Sequence, residues 1–175
     1  MSEEFKPLKI RVEKAGKEEV TIFLTGHLSE NSDFNSLNVD SAQTLIFDLE
    51  DVRLVNSSGL RNWLMFIRSL SEGVKVVLRH CQSMVVEQMN ILEGFLPETG
   101  YVESVYVPYY CEKCDATRSK LLKRGEAFQE ATEDKEHFFT ISETDTCEQC
   151  GGAMSLDILP KHHFRFLKGR VKQSQ

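Results

Sequence analysis

Four of the chain's five cysteines stand in two C-x-x-C pairs, Cys111/Cys114 and Cys147/Cys150, with 32 residues between the pairs. This arrangement restricts the chain more than any other feature. Two residues between cysteines let a tight turn aim both sulfurs at one point, and two such turns supply four. Tetrahedral zinc takes four ligands, and four thiolates at about 2.3 Å fill its shell. A filled shell has no place for water or substrate, so one structural Zn2+ is expected. Gly151-Gly152, after the second pair, suits a chain bending round a metal. Three other readings stay open. A redox pair usually needs one C-x-x-C at a helix start in a βαβ setting. Disulfides are disfavoured in a cytosolic chain. A metal site that has lost its metal is the third. His162 and His163 would be surplus ligands, and Cys81 reads as a small buried hydrophobe.

The cysteines also divide the chain. Residues 1–108 carry 10 Lys/Arg against 16 Asp/Glu, the whole net charge of −6, whereas residues 109–175 carry 11 of each. With 175 residues, one ordinary domain or a domain of about 100 residues plus a small one would fit. The expected division is 1–108 and 109–175, meeting at Pro108. No apolar run approaches the roughly 18 residues of a membrane span. Met1-Ser2-Glu3-Glu4 is acidic and does not resemble a secretory signal. A cytoplasmic protein without a membrane segment is expected.

Hydrophobic periodicity gives the elements of the first part. Leu8–Glu13 alternates as a half-buried strand, Ala15-Gly16-Lys17 is a turn, and Val20–Gly26 is a second strand. Residues 29–43 are polar and read as a loop with room for a short helix. Thr44–Leu49 is nearly all apolar, as in a central buried strand. Leu60, Trp63, Leu64, Ile67 and Leu70 then mark the core face of a helix, with Phe66 on its margin. Asn56 or Ser57 caps that helix and Gly73 closes it. Val74–Leu78 is a strand, Ser83 caps a second helix, and Tyr101–Val107 is the last strand before Pro108. The order β-β-β-α-β-α-β predicts an α/β fold, a mixed sheet with packed helices.

The turn Asn56-Ser57-Ser58-Gly59-Leu60, between a buried strand and an amphipathic helix, resembles the STAS domain over about residues 5–107. That is the fold of bacterial anti-sigma factor antagonists and of sulfate-transporter tails. The family pattern at this turn is Asp-Ser-Ser-Gly-Leu, so Asn56 departs from it. The resemblance implies phosphorylation at Ser57, the first serine of the pair, and an anti-sigma-factor kinase or similar signalling protein as partner. Physically, a phosphate at a helix N-terminus meets free N–H groups and a favourable dipole, while a docked partner meets a new charge. The bland alternative is that Asn56, Ser57 and Ser58 only cap the helix. Helical spacing turns Met65 away from the core face, near Ser58, Arg61 and Asn62. Asn56, Ser57, Ser58, Arg61, Asn62 and Met65 are thus the candidate partner surface.

Residues 109–160 resemble a zinc ribbon, a small β module. Phe138–Ile141 reads as a strand, and residues 125–137 read as a charged loop or short helix. Residues 158–175 contain no acidic residue but hold Lys161, Arg165, Lys168, Arg170 and Lys172, and read as a solvated tail frayed at its end. No nucleotide-binding loop or nucleophile–base motif is present, so no catalysis is expected. The leading expectation is a regulatory protein-binding module. A nucleic-acid adaptor using the ribbon and basic tail is the rival, weakened by the neutral charge of that half. A homo-oligomer joined through a sheet edge is a third reading.

Overall fold

The computed structural model describes residues 6–15, 18–39, 41–132, 135–168 and 171–172. The N-terminal Met1–Glu4, Gly16 and Lys17 of the expected turn, and Arg170 and residues 173–175 of the tail lie outside them. The chain forms two compact units, residues 1–103 and 104–175. Among the described residues no helix is long and apolar enough to cross a membrane.

The first unit is α/β. Its mixed five-stranded sheet has the order β1 (Lys9–Ala15), β2 (Glu19–Leu28), β3 (Thr44–Val55), β4 (Lys75–Arg79), β5 (Tyr101–Val102). β1 pairs antiparallel with β2, and the remaining pairs are parallel. Helices α1 (Ser57–Ser69) and α2 (Ser83–Ile91) fall in the crossovers. β3 runs six residues beyond the expected Leu49. Its partner β2 is long, and two irregularities let β3 carry extra residues until Leu28 faces Val55.

Helix α1 starts where its sequence says. Asn56 is the cap, its Oδ1 accepting from Gly59 N at 2.9 Å. The helix stops at Ser69 rather than at Gly73, because Leu70 already turns extended. Its buried face is rotated from the expected one. Gly59, Trp63, Phe66 and Ile67 are buried, while Leu60 and Leu64 are half-buried. Two causes are visible. A Cβ on Gly59 would stand 2.3 Å from the Leu28 carbonyl and 2.5 Å from Ser29 N, so the bare backbone seats against the end of β2. In the loop read as polar, Phe34 is 2% exposed and packs 5.5 Å from both Phe66 and Trp63. Trp63 is core as expected, and its indole N–H donates to Phe95 O at 2.8 Å. Ser83 is not a cap; Gln82 precedes α2 and makes no side-chain capping bond.

The expected strand Tyr101–Val107 is two strands. Glu103 N donates to Leu78 O, after which β6 (Ser104–Cys111) joins the second unit. Val105, Val107, Tyr109 and Cys111 alternate as its buried face, and Pro108 sits within it, its carbonyl accepting from Asp157 N.

The second unit holds a four-stranded antiparallel sheet. Its order is β11 (Thr144–Thr146), β12 (Ala153–Leu156), β6, β7 (Ala116–Lys123). Residues 125–137 hold no helix among those described. Instead β8 (Phe128–Gln129) pairs with β10 (Phe138–Phe139), and β9 (Ala131–Thr132) pairs with β13 (Val171–Lys172). Glu130, 1% exposed, receives Arg124 Nε at 2.6 Å. Residues 158–168 of the basic C-terminal stretch are folded rather than a solvated tail. α3 (Pro160–His163) leads into a 3-10 helix, Phe164–Leu167, whose Phe164, Phe166 and Leu167 are buried. Phe164 stacks on Phe139 at 4.9 Å and lies 5.7 Å from Phe128. That ring cluster outweighs the polarity of the intervening basic residues.

Gly59→Ala should reverse the ordinary helix preference. Alanine in a free helix gains about 1 kcal/mol over glycine. Here the clash with fixed backbone should cost roughly 2–3 kcal/mol instead, read as a lower urea midpoint.

Candidate functional site

The two cysteine pairs occupy matching places. Cys111 ends β6, and Ala116 begins β7, so the first pair forms the tip of the β6–β7 hairpin. The second lies between β11 and β12 and forms the tip of that hairpin. Each second cysteine is followed by a residue with left-handed backbone, Asp115 at φ 55° and Gly151 at φ 66°. Asp tolerates this region better than most side chains, and Gly meets no resistance there. The second turn is closed by Cys147 N donating to Gly152 O and Gly151 N donating to Cys147 O.

The hairpins bring all four sulfurs within 4.8 Å of one another. Cys111 Sγ lies 3.6 Å from Cys150 Sγ, and Cys114 Sγ lies 3.6 Å from Cys147 Sγ. Four sulfurs at about 2.3 Å from a central ion would stand about 3.8 Å apart. The donor set therefore fits a tetrahedral metal, and its cysteines are free thiols rather than disulfides at about 2.05 Å. Cys111 and Cys147 are buried, while Cys114 and Cys150 are partly exposed.

Backbone amides prepare the sulfurs for charge. The N–H of Cys150, helped by that of Gln149 and by neighbouring thiols, holds the Cys147 thiol down to about 7 against burial. The Ala116 N–H favours a Cys114 thiolate, but the Cys150, Cys147 and Cys111 sulfurs with burial push that thiol up to about 12. Gly152 N also donates to Cys150 Sγ at 3.4 Å. Four sulfurs this close cannot all ionise without a counter-charge. A divalent cation would supply it, and its binding would then release protons. The 32-residue spacer holds β7 and the short strands β8–β11.

The second candidate surface is the start of α1. Ser57, Ser58, Arg61 and Met65 are exposed, Met65 to 64%. The first turn of α1 carries no acidic residue. Asn56 and Asn62 are bonded within the chain. Asn56 Nδ2 donates to Glu30 Oε2 at 3.2 Å, and Asn62 Nδ2 donates to Glu30 O and Ser32 O. Both hold the loop after β2. Glu30, Asp33, Asn62 and Met65 border a shallow groove of about 340 Å³ beside the helix. Glu30 has no signal in sequence, standing 26 residues before its partner.

The Glu30 contact accounts for asparagine at position 56. An amide can cap Gly59 through oxygen and satisfy Glu30 through nitrogen, whereas a carboxylate can only cap. Glu30's own backbone N–H and the Asn56 amide hold its carboxyl below the ordinary range.

Two outcomes are expected. Asn56→Asp should raise the Glu30 pKa, as followed by its carboxyl carbon in an NMR titration. A strong chelator should remove about one metal ion per chain and loosen the second unit, while the lone Trp63 keeps its native fluorescence in the first. Compared with models of known protein families the chain matches none, and no curated protein matches it significantly.

Proposed function

We propose that this chain is a cytosolic, non-catalytic regulatory module that docks a signalling protein through the start of α1, in the manner of anti-sigma factor antagonists. The observation that carries the reading is the form of that helix start. Ser57 and Ser58 are exposed in a first turn free of acidic residues, beside exposed Arg61 and Met65. The turn is held rigid by the Asn56 cap and by the Gly59 seat. A rigid, polar helix start with an adaptable methionine two turns on suits a reversible contact. The sheet order β1-β2-β3-β4-β5, with α1 and α2 in the crossovers, supports the resemblance to a STAS domain.

Phosphorylation of Ser57 is the proposed switch. At the first helical position a phosphate is met by unpaired N–H groups and the positive helix end, so the fold tolerates it. A partner seated on the same turn must desolvate or oppose about −1.5 to −2 charges. The second unit is proposed to be a zinc ribbon. Soft thiolates select zinc among the abundant ions, and an all-sulfur shell suits a structural role. It adds a contact surface or steadies an assembly. An anti-sigma-factor kinase or a related protein is the proposed partner.

Affinity purification with wild type, Ser57→Asp and Met65→Asp tests the docking surface. Both variants should lose a protein that wild type retains, and mass spectrometry should find phosphate on Ser57. Identical partner sets across the three would rule the surface out. Metal analysis of protein purified without chelator should find about one zinc per chain, and Co2+ in its place should give the intense visible bands of a tetrahedral thiolate site.

A further inference from the structure

We propose that Asp48, Glu50 and His80 form a second cation site in the first unit, one that takes a divalent ion preferring oxygen and imidazole, such as Mn2+. Asp48 and Glu50 are two apart on β3, so their side chains share one face of the sheet. His80 is the first residue beyond β4 and stands at φ 53°, off the line of the strand. Asp48 is paired in register with Arg79, which places the imidazole next to both carboxylates. The three donor atoms lie within 4.8 Å of one another. They sit where β4 ends, and the carboxyl ends of parallel strands are where open α/β sheets hold ligands.

The spacing suits an ion. His80 Nδ1 lies 3.1 Å from each carboxylate oxygen of Asp48 and 3.7 Å from Glu50 Oε2. Adjacent donors about 2.1 Å from an octahedral ion stand about 3 Å apart. The donors also grade outward, with side-chain exposures of 8% for Asp48, 27% for His80 and 54% for Glu50. The open side leaves room for water to complete a shell, as carboxylate-bound Mn2+ or Mg2+ commonly requires.

One group opposes binding. Arg79 Nε donates to Asp48 Oδ2 at 2.8 Å, and its guanidinium lies 5.5 Å from the Phe23 ring. Glu50 N also donates to Asp48 Oδ1 at 3.2 Å. A carboxylate offers about four lone-pair positions, so Asp48 can keep both bonds and still ligate. The guanidinium charge lowers the affinity without closing the site, and two carboxylates still outnumber it. The mixed oxygen and nitrogen donor set separates this site from the cysteine cluster, since thiolates favour softer ions.

The test uses the full chain with zinc already supplied to its cysteines. Mn2+ is added while amide NMR signals are followed. Broadening should centre on residues 48–50 and 79–82 and saturate below the millimolar range. His80→Asn keeps a residue that accepts positive φ, and Glu50→Gln changes a largely exposed side chain. Each should weaken Mn2+ binding about tenfold or more. The site is overturned if broadening spreads over the acidic surface without a centre at His80, or if both variants bind Mn2+ as wild type does. Should His80→Asn fail to fold, Glu50→Gln alone decides.

Discussion

The first turn of α1 lies against the backbone of Leu28 and Ser29 with no space for a side chain between them. The placement of α1 on the first unit follows from this approach. It fixes the depth at which Trp63 and Phe66 enter the core, where their rings meet Phe34 and Phe47. It brings the loop after β2 within reach of Asn56 and Asn62. It also leaves Ser57 and Ser58 outward, because Gly59 is the fully buried residue of that turn. The same glycine therefore sets both the packing of the helix and the exposure of its polar start.

The second unit is joined by a shorter seam. β12 and β6 are joined in register at only two residue pairs, Ser155 with Tyr110 and Leu156 with Tyr109. So short a junction is weak for bringing two hairpins together. The four sulfurs lie at the hairpin tips beside it, and a metal ion among them would act as the missing length of sheet. Small modules with limited cores draw folding free energy from such ions.

Much of this was legible in the sequence, for reasons that differ by element. β1, β2 and α1 follow from local periodicity and a side-chain cap, both written within a few residues. The cysteine cluster follows from spacing, since a two-residue gap leaves few geometries open. What failed depended on distant partners. Phe34 was hidden in a polar loop because burial there needs Phe66 and Trp63 across the fold. The stretch Lys161–Lys168 looked solvated by charge, yet Phe164, Phe166 and Leu167 were already an apolar signal, with Phe139 as the stacking partner. Asp48 is the one charge in the apolar run Thr44–Leu49, but its site role carries no local signal, because its partner His80 stands 32 residues away.

Pro108 sits inside β6, with β7 on one side and β12 on the other. If β12 withdraws, β6 becomes an outer strand with Tyr109 and Tyr110 at its bared margin. Unpaired strand margins recruit other chains. A metal held between the cysteine hairpins would thereby guard against association as well as hold shape, because it would keep an aromatic strand covered by its own neighbour rather than by a second molecule.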